Sequence, residues 1–535
     1  MRANSLLSVS VVVAAAAVAA PLTTEAQVDA GLFRLYQGQA EIGREVFRMD
    51  ARTMESTVTI PMLGAHIRSR VDYGADGRAA GVSMEVVTIA RDSLLRTYAA
   101  RRDGDSLRLS LTGAGSRRWS KWSDADAIMP DQSLAGFLRL VAGPRGVSRD
   151  AKAWLPNADS TFDARVTWRG DTADIALGPQ RMAFIFGLDG RVARVRITPG
   201  AVHYERFTGD AAQLPPLPGH TRPTPDYTAP ADAPYTAADV RVPVRPAQGD
   251  TFSLACTLTL PKAGGPRWPA AVTSTGSGQQ DRDENLWPLL PEYRLFRQVA
   301  ERLAQERIAT LRCDDRAVGG SGGTLGTATT EDFAGDVAAQ VAWLRTRADV
   351  DARRIAIVGH SEGGVIGPMV AARDAQLAAV VVLAGSAKTG REVLRDQFVG
   401  RVERDTSLAG ERRAAALAMA RQSMEAFIAA APWTRWFADY DPRVTARRVR
   451  QPVLILHPVL DQQVSAGQAD TLAVALREGG NRDVTVRKFA ELNHLFLRSP
   501  SGTGDPQEYG SLKDAAIPAD VLDAMAIWLR PRLYP

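Results

Sequence analysis

The stretch Arg354-Ile355-Ala356-Ile357-Val358-Gly359-His360-Ser361-Glu362-Gly363-Gly364 carries the sharpest chemical signal in the sequence. An apolar run with the look of a buried strand leads straight into Gly-x-Ser-x-Gly, and a helical pattern starts at Val365. The demand for glycine is steric. A serine on a strained strand-to-helix turn has backbone close on both sides, and side chains two residues away would strike it. Ser361 is therefore expected to project its hydroxyl above a sheet, over a helix N-terminus that favours developing negative charge. A serine hydroxyl is a poor nucleophile until a base takes its proton. Acyl transfer is the chemistry implied, and a histidine and a carboxylate must come from elsewhere in the chain.

There are six histidines. His66 and His203 stand alone, without other reactive groups, and read as surface or satisfied core residues. His220 lies in a proline-rich stretch, His360 inside the turn, and His457 in a strand that should be buried. His494, in Leu492-Asn493-His494-Leu495-Phe496, follows the stretch Val484 to Phe489 and is the candidate base. Asp461, reached from Pro452-Val453-Leu454-Ile455-Leu456 through His457-Pro458-Val459-Leu460, is the candidate carboxylate, with Asp470 in the next helix as the fallback. A tetrahedral intermediate also needs donors for its oxyanion. One is the backbone N–H of Glu362. The other is sought in Ser274-Thr275-Gly276-Ser277-Gly278, with Ser277 preferred and Gly276 beside it. The following Gln280-Asp281-Arg282-Asp283-Glu284 reads first as a structural polar loop near the mouth of the site and second as a substrate contact. No metal or cofactor is called for, and two cysteines exclude a Cys-rich zinc module.

The elements that must position these groups occupy the second half of the chain. Residues 27–213 are β-rich: Leu107, Leu109 and Leu111 alternate with polar residues, as do Phe162 to Trp168 and Ala173 to Leu177, and Asp189-Gly190 marks a hairpin. Period-two alternation implies an antiparallel sheet or partial barrel with one buried face, interrupted by one short helix near Leu134 to Val141. Residues 214–234 carry prolines 215, 216, 218, 223, 225, 230 and 234 and read as an extended linker. From 235 to 535, short apolar runs alternate with helical stretches, which predicts a mostly parallel α/β sheet covered on both faces, with antiparallel edge strands at Val240 to Val244 and Phe252 to Leu260. A final helix is expected to start at Pro518 and to pack Val521, Leu522, Met525, Trp528 and Leu529 on the sheet.

The 535 residues allow two to four domains and a large core. Apolar residues are 45% and charged residues 23%, which excludes a disordered, collagen-like or polytopic membrane chain. The net charge of +5 is spread over interspersed signs, with no basic block dense enough for nucleic acid. At the start, Arg2, the apolar stretch Leu6 to Ala20 and Pro21 have the layout of a secretory signal peptide over residues 1–26, cleaved after Ala20 or Ala26; an uncleaved anchor is the alternative. No cysteine near those sites suggests a lipid anchor, and no later stretch is long and apolar enough to span a bilayer. Export to a periplasm or beyond is the expectation.

From about Tyr235 onward the chain resembles the EstD-type bacterial carboxylesterases of the α/β-hydrolase superfamily. The resemblance rests on Gly276-Ser277-Gly278 with Gln280-Asp281-Arg282-Asp283-Glu284, on Asp314-Asp315-Arg316 with Val318-Gly319, on Gly359-His360-Ser361-Glu362-Gly363-Gly364 and on Asn493-His494-Leu495-Phe496. The order Ser361, Asp461, His494 is that of an α/β-hydrolase. The resemblance implies cleavage of short-chain acyl esters by a Ser–Asp–His triad without a cofactor. Relatives described as serine aminopeptidase-like or thioesterase-like keep those substrates open, and a non-catalytic envelope-binding protein is the alternative of another class. It also implies that the helical stretch 386–440 forms a lid, with Phe427, Trp433 and Trp436 shaping the acyl pocket; packing on the core alone is the other reading. Ala317 replaces a customary glycine, and His457-Pro458 precedes Asp461 where a glycine-containing turn is usual. Cys256 and Cys313 would fall on the neighbouring second and fourth strands. Two buried free thiols are expected, with a bridge as the alternative if their Cα atoms lie within about 7 Å.

Overall fold

The computed structural model describes residues 29–534 apart from 62–64, 76–78, 89–93, 104–105, 113–116, 122–126, 129–132, 143–144, 156–159, 178–179, 199–201, 216, 218–224, 248, 264, 266, 287–289 and 407. The expected leader and His220 lie outside the described residues. Two sheets organise the chain. The first, from Asp29–Gln37 to Val202–Phe207, has 15 strands, antiparallel except where Arg149–Leu155 runs beside Ala127–Ile128. Its first eight strands form a meander, and the last strand returns to pair with the first. Alternate residues are buried: Met54, Val58 and Ile60 on one strand, Ile67, Val71 and Tyr73 on the next. That apolar face packs on the short helix Ala135–Val141 through Leu138, Leu140 and Val141. Glu45 holds the start of this helix. Its carboxylate accepts from Ser56 Oγ (2.6 Å), Ser133 Oγ (2.7 Å) and the N–H groups of Leu134 (2.8 Å) and Ala135 (3.1 Å). Burial raises its pKa, against the pull of these donors.

The connector is anchored at both ends. Arg44 Nη2 donates to Pro215 O (2.7 Å). Farther on, Arg294 Nη2 and Arg297 Nη1 donate to Asp226 O (2.5 and 2.9 Å), Tyr227 stacks on Arg282, and Ala233 packs against Ala304.

The second sheet carries the candidate site. Its strands are β1 (Tyr235–Val244), β2 (Phe252–Pro261), β3 (Trp268–Ser274), β4 (Ala309–Cys313), β5 (Val350–His360), β6 (Ala379–Leu383), β7 (Val453–Pro458) and β8 (Val484–Phe489). They lie in the order β1-β2-β4-β3-β5-β6-β7-β8. The pairings β1–β2 and β2–β4 are antiparallel and the rest parallel. Ile355, Ala356, Ile357 and Val358 on β5 are all 0% exposed, because helices cover both faces. Helices α1 (Leu295–Gln305) and α9 (Ala519–Leu533) pack on one face; α2 (Thr330–Arg345), α3 (Glu362–Ala371) and α8 (Gly467–Glu478) pack on the other. Between β6 and β7 come α4 (Gly390–Arg404), α5 (Gly410–Ala430), α6 (Pro432–Asp439) and the short α7 (Pro442–Ala446). On α9, Val521, Met525 and Leu529 are buried; Leu522 and Trp528 are partly so, and the Trp528 indole N–H donates to Thr485 Oγ1 (3.1 Å).

The expectation of free thiols is corrected. The antiparallel register of β2 and β4 sets Cys256 directly opposite Cys313, with Cα atoms 4.0 Å apart, and the two form a disulfide. Facing positions of an antiparallel ladder bring side chains close enough to join, a register the linear spacing does not reveal.

Candidate active site

β5 ends at His360 and α3 begins at Glu362, leaving Ser361 alone on the turn at φ +52° and ψ −114°. A non-glycine residue there is strained, and its neighbours make room for it. A Cβ on Gly359 would sit 2.0 Å from Gly363 O, and one on Gly363 would sit 2.0 Å from Ser274 O. Ser361 N–H donates to Leu383 O (2.8 Å), tying the turn to the end of β6.

Asp461 lies just past β7 and His494 just past β8. Two backbone bonds join these segments, Val459 N–H to Phe489 O (2.8 Å) and Leu460 N–H to Leu492 O (3.1 Å). His494 Nδ1 is 2.7 Å from Asp461 Oδ2, while Asp461 Oδ1 accepts the N–H groups of Gln463 and Val464, both at 2.8 Å. Asn493 Oδ1 accepts from Leu495 and Leu497 N–H and shapes the loop that presents His494. His457, in place of a glycine-containing turn, bonds Val464 O through Nε2 (2.8 Å), and burial lowers its pKa, keeping the ring neutral beside Asp461. The fallback Asp470 pairs instead with Lys488 (2.5 Å). Ser361 and His494 line one cavity of about 340 Å³.

On the other side of Ser361 stands the loop after β3. Gly276 approaches so closely that a Cβ there would lie 3.2 Å from the Ser361 Cβ. Its N–H, however, is given to Glu284 Oε2 (3.3 Å), so Gly276 is corrected from oxyanion donor to a residue that permits close approach. Ser277 lines the cavity and hydrogen-bonds the Glu362 carboxylate. That carboxylate also accepts from Thr330 Oγ1 (2.6 Å) and Trp433 Nε1 (2.8 Å), and burial raises its pKa. As the first residue of α3, Glu362 has a backbone N–H without an acceptor one turn back.

Behind this loop lies a lattice of buried ion pairs. Asp315 accepts from Thr275 Oγ1 (2.7 Å) and Gln280 N–H (3.1 Å), and burial pushes its carboxyl well above the usual range. Arg282 forks onto Asp314 (3.1 and 2.9 Å), Arg312 and Arg294 both meet Asp283, and Arg316 forks onto Asp336 (both 2.7 Å). The middle of the polar block therefore supports the loop, while its first and last residues, Gln280 and Glu284, reach the cavity. Next to Arg316, Ala317 holds φ +59°, the left-handed region in which glycine is free and alanine is not. Ala317→Gly is expected to stabilise the fold by about 1 kcal/mol, and thermal unfolding followed by circular dichroism should show Tm higher by about 2 °C; a lower Tm rejects the steric account.

The apolar wall comes from Leu286, Val365, Phe427, Trp433 and Phe437. Trp436 does not belong to it. Residues 433 and 437 are one helical turn apart on α6 and stack at 5.8 Å, whereas Trp436 points elsewhere and stacks on Tyr440 at 4.7 Å. Phe437, one of the apolar residues of the expected lid, takes the place in the wall that Trp436 was expected to fill. Sequence reading missed the contact between Glu284 and His360, whose Oε1 and Nδ1 lie 2.5 Å apart. Their 76-residue separation left no local signal.

A sheet in this order, with a serine on the turn after its fifth strand, defines an α/β-hydrolase. A family model described as serine aminopeptidase, S33, matches residues 291–404. The chain is similar to the esterase EstD of Thermotoga maritima, 28% identical over 284 residues, with 51% of this chain covered. It spans 64% of the length of that relative. Similar solved structures include the Pyrococcus furiosus esterase Pf2001 (16% identity, 50% of this chain and 87% of that one, TM-score 0.37). Another is Est1E of Butyrivibrio proteoclasticus with ferulic acid bound (16% identity, 55% and 100%, TM-score 0.38). The assignment of the fold rests on the strand order and the serine turn.

Proposed function

We propose that the chain is a serine hydrolase of carboxylic esters with short acyl groups. The observation that carries this is a buried His494–Asp461 hydrogen bond opening on the same cavity as Ser361. His494 takes the Ser361 proton as Oγ attacks the acyl carbonyl. The oxyanion is met by the N–H of Glu362 and a donor from Ser277. The tetrahedral intermediate expels the alcohol, which receives the proton from His494, and an acyl-enzyme remains. Water, deprotonated by His494, repeats the sequence and frees the acid. Helices α4 to α6 act as a lid, and the cavity, at the small end of ligand sites, suits short substrates.

A second reading, a substrate with a free amino group, is favoured by the Glu362 carboxylate in the cavity lining, where no Lys or Arg stands among the described residues. Aminoacyl p-nitroanilides turned over faster than p-nitrophenyl esters would select it. Export is part of the proposal; the leader pattern and the Cys256–Cys313 disulfide both suit an oxidising compartment. The test is turnover of p-nitrophenyl acetate and butyrate, with a fluorophosphonate probe and mass mapping of the labelled peptide. Labelling at Ser361 with ester turnover is expected. A folded protein that does neither returns the chain to the class of binding proteins.

A further inference from the structure

The proposed triad leaves a second buried histidine beside it unexplained. His360 is 1% exposed, its Nε2 lies 3.1 Å from the carbonyl oxygen of His494, and the two rings are 5.0 Å apart. A carbonyl oxygen only accepts, so Nε2 carries a proton. Nδ1 faces Glu284 Oε1 at 2.5 Å, and since two bare acceptors would repel at that distance, a second proton lies between ring and carboxyl. Wherever that proton rests, the pair is neutral overall, which lets both groups stay buried. Burial alone would lower the His360 pKa; the Glu284 carboxylate outweighs it and raises it. The other Glu284 oxygen takes the N–H of Gly276, and Glu284 itself sits at a left-handed φ of +57°. Strain of that kind in a non-glycine residue gathers at functional sites.

We propose that Glu284 and His360 are positioning residues, which fasten the loop of Gly276, the nucleophile turn and the main chain of His494 to one another. The proposal rests on the reading of Ser361 as nucleophile and His494 as base. Asp461 aims the His494 ring but leaves its backbone unanchored, and the bond from His360 supplies that anchor from the residue next to Ser361. The distance between base and nucleophile is thereby set through neighbouring main-chain atoms. A displacement of about 1 Å in such a pair costs on the order of 100-fold in rate.

The test is kinetic. Glu284→Ala is expected to lower kcat on p-nitrophenyl butyrate by about 100-fold and to leave KM within about threefold. Glu284→Gln should keep kcat within about fivefold, since its oxygen accepts from Gly276 and its NH₂ donates to a neutral His360 that still reaches the His494 carbonyl. A general loss of structure would not be rescued by the amide in kcat alone. Circular dichroism at the assay temperature checks folding. If Glu284→Ala does not fold, the double variant Glu284→Gln/His360→Phe, which buries no charge but cuts the bond to His494, is measured for the same loss. Wild-type kcat in whichever of these two variants folds, or a Gln variant as impaired as the Ala variant, overturns the positioning role. Ser361→Ala in the same assay separates the two layers, because activity surviving there undoes the underlying reading instead.

Discussion

Ser361→Ala is expected to lower kcat for p-nitrophenyl butyrate by about 10⁶-fold, with KM little changed. The substitution removes only an oxygen. Alanine keeps the Cβ, inherits the same strained φ and ψ, and leaves the glycines at 359 and 363 their clearance. The cavity wall of Leu286, Phe427 and Trp433 is untouched, so the ground state should bind as before. Adding His494→Ala to this variant should cost almost nothing more, because a base without its nucleophile has no proton to take. What survives in both is the stabilisation that the Glu362 amide and the Ser277 loop give to attack by water. Parallel assays of the single and double variants check this. Two losses that multiply would mean that Ser361 and His494 act independently and are not parts of one relay.

Asp461→Asn should cost about 10⁴-fold in kcat, though the side chains are nearly the same shape. The reason lies in how the carboxylate is held. Its Oδ1 accepts two backbone N–H groups, from Gln463 and Val464, and only an oxygen can stay there. The asparagine nitrogen must then take the place of Oδ2 and point its hydrogens at His494 Nδ1. Facing a donor, Nδ1 becomes the acceptor, and the ring proton moves to Nε2, the nitrogen that has to receive the serine proton. The base would be present in the wrong tautomer. Pre-steady-state acylation at neutral pH, with thermal unfolding as a control, measures the effect. A rate within tenfold of wild type in a folded variant would show that another group sets the tautomer.

The parts of the site legible in the sequence are those whose cause is local. Gly359 follows from a steric need within five residues, since Gly363 O fills the place of its Cβ, whereas Gly363 makes room for the distant Ser274; the fully apolar Ile355–Val358 reads at once as a strand covered on both faces. Asp461 and His494 were reachable because the loops after β7 and β8 must end near the edge where Ser361 sits. Contacts between distant segments were not legible. The register that joins Cys256 to Cys313, the Gly276 amide turned toward Glu284, and the His360 bond to the His494 carbonyl all depend on where two strands or loops meet. In the first half, alternation revealed strands such as Phe162 to Trp168, but not that Asp29–Gln37 waits for Val202–Phe207 to complete its pairing. Trp436 was misplaced for a smaller reason: α6 presents positions 433 and 437 to the cavity, and a count of aromatic residues ignores helical phase.

The pinning of the connector at Pro215 and at Asp226 limits how far apart the two halves of the molecule can drift. Ten residues run between those anchors, and the eleven Cα steps from one to the other make a leash of about 40 Å at full stretch. Within a sphere of that radius a single molecule corresponds to a concentration in the millimolar range. A mutation that frees the Asp226 end would lengthen the leash and lower that local concentration without touching either half.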